Sequence, residues 1–125
     1  MKILLDTHVI IWLLESPEHL DDKTLEILAN KKTKVYYSIA SIWELAIKLS
    51  IGKIKVDLGL LLETLKQNSI EPLTIEENHI MHIEKLPQYH KDPFDRMIIA
   101  QAIYENIVLF TRDEIFTKYL KKILN

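Results

Sequence analysis

Four short runs made mostly of apolar residues, Lys2 to Leu5, Lys34 to Tyr37, Ile70 to Leu73 and Ile107 to Phe110, recur along the chain at long intervals. Each has the length and residue preferences of a β-strand. Between them, apolar positions recur at helical spacing from about Val9 to Leu14, Lys23 to Asn30, Ile42 to Leu49, Leu58 to Lys66, Glu76 to Leu86 and Phe94 to Glu105. A basic helix is also expected from Asp113 to Leu124. Strands alternating with helices indicate an α/β fold, because parallel strands need long crossovers and helices supply them. The expected architecture is one domain over residues 1–125, with a central parallel sheet of four to five strands flanked by helices.

Composition narrows the class. Apolar residues make up 48% and charged residues 27% of the 125, enough for a core and far from the profile of a disordered chain. Only two glycines and four prolines occur, so no linker, repeat or glycine-rich phosphate loop is present, and P-loop and Rossmann cofactor readings fail. The absence of cysteine excludes disulfides, thiolate zinc sites and cysteine nucleophiles. No stretch approaches the roughly 20 apolar residues of a membrane span. The start, MKILLD, meets an acid too early for a secretory signal, and a cytoplasmic location is expected. A net charge of −2 argues against a broad basic surface that would hold nucleic acid by phosphate neutralisation alone.

The acids are more informative. Asp6 ends the first strand run, and Asp113 follows the fourth after Thr111 and Arg112. Glu44 is expected to open the helix after the second strand, and Asp95 the helix leading into the fourth. In a parallel sheet all four positions fall at the carboxyl edge, where open α/β sheets bind ligands. Each has a purely structural reading as well. Asp6 and Asp113 suit helix caps, Ser41-Ile42-Trp43-Glu44 matches a capping box, and Glu44 can pair with Lys48 four residues on. In Asp92-Pro93-Phe94-Asp95, Asp92 fits the N-cap better than Asp95 does.

Crowded carboxylates repel unless a cation sits among them, and oxygen-only ligands suit Mg2+ or Mn2+ rather than zinc. Such an ion activates water and offsets charge on a phosphodiester. Thr111 offers a hydroxyl beside Asp113. Arg96 and Arg112, the only arginines, suit phosphate contacts or pairing with their Asp neighbours. His8 and His90 lie next to the expected rim and could contact substrate, whereas His79 and His82 read as surface or packing residues. Trp12, Trp43, Tyr36, Tyr37 and Phe94 are expected in the core. The clusters Lys31-Lys32-Thr33-Lys34 and Lys118 to Lys122 read as solvated surface, and the second could guide RNA.

The chain resembles PIN-domain ribonucleases, and specifically the VapC-type toxins of bacterial toxin–antitoxin pairs. The resemblance rests on four motifs in order: Leu5-Asp6-Thr7-His8 with Trp12; Ser38 through Ser41-Ile42-Trp43-Glu44-Leu45-Ala46-Ile47-Lys48 with Gly52-Lys53; His90-Lys91-Asp92-Pro93-Phe94-Asp95-Arg96 through Ile99-Ala100-Gln101-Ala102; and Thr111-Arg112-Asp113. It implies an acidic quartet of Asp6, Glu44, Asp95 and Asp113 holding Mg2+ or Mn2+, with Thr111 and Asp92 in support. It also implies endoribonuclease activity on RNA, homodimerisation, and inhibition by a cognate antitoxin. The alternative is a non-catalytic module of the same fold that binds RNA or protein, against which the complete quartet argues. A phosphomonoesterase of the haloacid-dehalogenase kind would need Asp at position 8, where His8 stands.

Overall fold

The computed structural model describes residues 1–120 and 123–124. Five strands, β1 (Lys2–Leu5), β2 (Lys34–Ser38), β3 (Glu71–Leu73), β4 (Val108–Phe110) and the two-residue β5 (Ile123–Leu124), form one wholly parallel sheet. Their spatial order is β3-β2-β1-β4-β5. Among the described residues six α-helices flank it: α1 (Thr7–Glu15), α2 (Asp22–Ala29), α3 (Ile39–Ser50), α4 (Leu58–Gln67), α5 (Glu77–Glu84) and α6 (Pro93–Glu105). The expected α/β class is the observed one.

The central strand explains the pattern of its own sequence. In β1, Ile3, Leu4 and Leu5 are all fully buried, because helices cover both faces of the sheet. Register then sorts side chains by parity. Ile3 pairs with Val35 and Val108, Leu4 with Tyr36 and Leu109, and Leu5 with Tyr37 and Phe110. Ile3, Leu5, Val35, Tyr37 and Phe110 pack with Val9 and Ile10 of α1, Leu45 of α3, and Leu61 and Leu65 of α4. Leu4 and Leu109 point the other way, onto Ile98, Ile99 and Ala102 of α6 and Phe116 of the tail.

The margins of the sheet depart from that pattern. In β3, Glu71 and Pro72 are exposed, as suits an edge strand where a missing N–H costs no ladder bond. The tail is not the long helix expected from Asp113 to Leu124. It forms a single 3-10 turn at Glu114–Lys118, buries Phe116, and returns to pair β5 with β4. Lys121 and Lys122 of the expected basic cluster lie outside the described residues, while Lys118, Lys31, Lys32 and Lys34 are exposed. No helix among the described residues is long and apolar enough to cross a membrane.

Two substitutions test this packing. Phe110→Ala, at a fully buried side chain, is expected to cost about 3–5 kcal/mol in denaturant unfolding. Met81→Ala, on the solvent side of α5 at 63% exposure, should stay within about 0.5 kcal/mol. Similar losses for the two would contradict the arrangement.

Candidate active site

Strand order reverses beside β1: the chain moves from β1 to β2 and β3 on one side, then places β4 and β5 on the other. Such switch points open a crevice at the carboxyl ends of the strands. Asp6 leaves β1 there and Thr111 leaves β4. The Asp6 amide bonds the Phe110 carbonyl at 2.9 Å, which continues the ladder one residue past the strand. Asp6 Oδ1 accepts from the Thr7 amide at 2.7 Å, and Oδ2 accepts from Thr111 Oγ1 at 2.8 Å. Thr111 Oγ1 in turn accepts from the Asp113 amide at 3.0 Å. Burial, at 3% exposure, pushes the Asp6 carboxyl above the ordinary range, against the pull of Thr111, His8 and Thr7; the charge of Asp113 pushes the same way as burial.

Glu44 enters from α3, though not at its start. Ser38 caps that helix by accepting from the Ala40 amide at 3.0 Å. Ser41 therefore lies inside the first turn, where its hydroxyl bonds Thr7 Oγ1 at 2.8 Å and ties α3 to α1. The expected Ser41–Glu44 capping box does not form, because the helix begins three residues earlier than its apolar periodicity suggests. Glu44 instead sits in the second turn, 6% exposed. Its Oε2 accepts from Lys48 Nζ at 2.9 Å, as the four-residue spacing anticipates. Its Oε1 is buried with no hydrogen-bond partner among the described residues. A buried carboxylate oxygen left unpaired is costly, and a cation would relieve it. The Lys48 ammonium is held above its ordinary value, first by the bond to Glu44 and further by the charges of Glu44, Asp92 and Asp95.

Asp95 lies in the first turn of α6. Asp92 is the N-cap, and its Oδ1 accepts from the Phe94 and Asp95 amides at 2.9 Å each. Pro93 occupies a first-turn position where its missing N–H costs nothing. Asp95 Oδ2 meets His90 Nε2 at 3.2 Å. Burial and then the negative charges of Asp92, Asp6 and Glu44 push the Asp95 carboxyl up to about 6, against the opposing bond from His90. Asp113 is exposed and caps the final 3-10 turn through the Ile115 amide at 3.0 Å.

The structure thus brings Asp6 and Glu44 each within electrostatic reach of Asp95 and leaves Asp113, exposed, within reach of Asp6. Among the described residues, no three His, Asp or Glu side chains form a ready-made metal cage. The donor set is nonetheless all oxygen, and Mg2+ typically keeps several waters and takes only one or two carboxylates. The unpaired Glu44 oxygen and the raised Asp6 and Asp95 carboxyls are what such an ion would relieve.

Several side chains stand elsewhere than the sequence suggested. Arg96 turns away from Asp95: only 6% exposed, its guanidinium donates to the Pro87 carbonyl at 2.8 Å and to Tyr119 Oη at 3.2 Å. It braces a loop and reaches no phosphate-binding surface. Arg112 is exposed and unpaired with Asp113 among the described ion pairs; its charge reaches Asp21. Trp43 is not in the core. It is 57% exposed beside Glu44 and meets Phe94 edge-on at 5.0 Å, so the two aromatics border the acids. His79 is a packing residue, fully buried between Glu76 and Glu105. Tyr119 joins the site without any signal in its local sequence. Gln101, a lone polar residue in an apolar helix run, did carry one: it accepts from the cap residue Ser38 at 2.5 Å. A cavity of about 680 Å3 with mixed lining, including Ile10, Leu28, Leu61, Lys31, Thr64 and Asn68, lies away from all of these acids.

Comparison with known proteins agrees with the fold. The PIN domain family model matches residues 3–122, and the chain belongs to that family. Among solved structures it is similar to the complex VapBC2 of Rickettsia felis bound to a promoter DNA fragment, with a TM-score of 0.77 and 22% identity over 100% of this chain and 98% of that one. It is also similar to VapBC-1 of nontypeable Haemophilus influenzae, with a TM-score of 0.71 and 19% identity over 100% and 98% of the two chains. A toxin–antitoxin complex of Klebsiella pneumoniae matches with a TM-score of 0.65 and 16% identity over 98% and 96%. No curated protein matches the sequence.

The raised Asp95 carboxyl has a consequence for stability. Its value is about 6 in the folded protein against 3.8 ordinarily, so folding favours the protonated form. The stability this proton contributes is full below about pH 4 and is lost as pH rises through about 6. In metal-free buffer, Asp95→Asn is expected to melt higher than the parent at about pH 7.5 and close to it at about pH 4. An equal difference at both values would contradict the crowding of these acids.

Proposed function

We propose that this protein is a divalent-metal-dependent endoribonuclease that cuts RNA phosphodiester bonds in the cytoplasm as the VapC-like toxin of a toxin–antitoxin pair. The carrying observation is Glu44, a buried carboxylate with one oxygen paired to Lys48 and the other with no partner among the described residues, within electrostatic reach of Asp95 as Asp6 is. Membership of the PIN family and likeness to VapBC complexes support the reading.

In this reading Asp6, Glu44 and Asp95 hold Mg2+ or Mn2+, with Asp113 completing the set from the rim. A bound ion would supply Lewis acidity toward the phosphodiester and would lower the pKa of water. The remaining work falls to the chain. The Thr111 hydroxyl fixes the rotation of Asp6 by donating to Oδ2, and its Oγ1 holds the Asp113 backbone by accepting from that amide. Asp92 anchors the start of α6, so the Asp95 backbone cannot swing away from the crevice. Lys48 offsets one charge of the cluster and moderates its repulsion. With a net charge of −2, RNA would be held by the ion and by contacts at the rim rather than by a basic face. A cognate antitoxin would silence the enzyme by covering the crevice.

Homodimerisation has its own support. Ile39, Trp43 and Ile47 on α3 and Ile51 at its C-cap stand at four-residue intervals, exposed at 37%, 57%, 40% and 59%. An exposed apolar stripe of this kind marks an interaction surface, and a second copy of the same helix would cover it.

Two experiments test these readings. A single-stranded RNA should be cut with Mg2+ or Mn2+ and left intact with EDTA. Asp6→Asn and Glu44→Gln should lower the rate by more than the roughly 10–100-fold typical of an outer-shell partner. Equal cutting by parent and variants would identify a contaminating nuclease and end the assignment. For the dimer, light scattering should give twice the chain mass for the parent and the monomer mass for Ile47→Glu; a parent that is monomeric at all concentrations would reject the α3 interface.

A further inference from the structure

The bond from His90 to Asp95 belongs to a longer chain of contacts. Tyr119 Oη accepts from the His90 backbone amide at 3.1 Å and from Arg96 Nη1 at 3.2 Å. Those two donors occupy the lone pairs of the phenol oxygen, so its own hydrogen is left for His90 Nδ1, 2.8 Å away. Nδ1 is therefore an acceptor. In the neutral ring the hydrogen then sits on Nε2, which donates it to Asp95 Oδ2 at 3.2 Å. Arg96 is itself immobilised by the carbonyls of Pro87 at 2.8 Å and of Ile83 and His90 at 3.4 Å each. Edge-on packing of Tyr119 against Tyr89 at 5.0 Å limits movement of the phenol.

The arrangement links three parts of the chain that share no local sequence signal. Tyr119 caps the 3-10 turn that Asp113 begins, His90 lies in the loop before α6, and Asp95 and Arg96 open α6. The geometry points to His90 and Tyr119 as positioning residues that set the tautomer of one ring and, through it, the orientation of the Asp95 carboxylate toward a bound divalent ion. Arg96 is the fixed end of this relay. That accounts for a buried guanidinium beside the site that pairs with no acid among the described residues. Outer partners of this kind hold a ligand in its productive rotation, and losing one typically costs about 10–100-fold in metal affinity or activity. The inference rests on the metal role proposed for Asp95 and adds two residues to it.

The test uses the full chain and Mn2+ as the probe. Isothermal titration gives the Mn2+ Kd, RNA cleavage is followed against Mn2+ concentration, and thermal melts by circular dichroism report folding. Tyr119→Phe keeps the ring and removes the hydroxyl, His90→Leu removes the donor, and His90→Gln places an amide N–H near the position of Nε2. Tyr119→Phe and His90→Leu should raise the Mn2+ Kd, and the Mn2+ needed for half-maximal cleavage, about 10-fold or more. The RNA KM at saturating Mn2+ should stay unchanged, and His90→Gln should recover most of the loss. A merely structural role would lower the melting temperature without moving the Mn2+ dependence. Folded variants with a Kd within about 2-fold of the parent would overturn the positioning role while leaving the site intact. If His90→Leu does not fold, Tyr119→Phe decides by the same criterion. A parent that binds no Mn2+, or an Asp95→Asn variant that binds it as well as the parent, would overturn the metal reading and this inference with it.

Discussion

The hydrogen bonds that hold the Asp6 carboxylate between two parting strands organise the crevice around them. A carboxylate at 3% exposure is costly to ionise, and here both of its oxygens are engaged, by the Thr7 amide and by the Thr111 hydroxyl. The Thr111 bond joins residues 105 positions apart and exists only because β1 and β4 pair in parallel and end together. From it the neighbouring geometry follows. Thr7, released into the first turn of α1, bonds Ser41 and positions α3, while Thr111 holds the backbone from which Asp113 projects. Glu44 and Asp113 are thus placed relative to Asp6 by two hydroxyls, each one residue beyond or within two residues of an acid.

Electrostatics around this point are unbalanced. Three acids, Glu44, Asp92 and Asp95, act on the one lysine, and the two arginines that could have compensated them are engaged elsewhere, one with backbone carbonyls and one in solvent. Burial and repulsion act together on Asp95, and one oxygen of Glu44 lacks a partner among the described residues. Structural polar groups in the same molecule show what a resolved cluster looks like. His79 is equally buried, yet it has the Glu76 amide on one nitrogen and Glu105 on the other. That contrast, within one chain, separates a satisfied packing network from a cluster whose negative charges are left unbalanced.

Much of the fold was legible in the residue order. The four longer strands fall on the four apolar runs, most plainly in β1, where burial on both faces requires Ile3, Leu4 and Leu5 to be apolar, and the six helices follow from their periodicity. Boundaries and margins were less legible. Periodicity located the apolar face of α3 but not its start, since Ser38 and Ser41 are both good caps and the choice depends on where β2 stops. The tail read as a helix because its apolar residues recur suitably, yet pairing with β4 and burial of Phe116 outweighed a weak local preference. Trp43 was expected inside because large aromatics usually are; its neighbours on α3 show that this face of the helix is the one left uncovered.

By itself the sequence determined the layers, the parallel sheet and the positions of Asp6, Glu44, Asp95 and Asp113 near one edge, because these depend on spacing along strands and helices. Tertiary structure decided what each acid experiences: which is buried, which is exposed, and which oxygen has a partner. It alone brought Tyr119 to His90 and turned Arg96 onto the loop carbonyls. The reason is physical. Periodicity encodes which side of an element faces the core, whereas burial and hydrogen bonding depend on neighbours that are distant in the chain and meet only when the sheet closes.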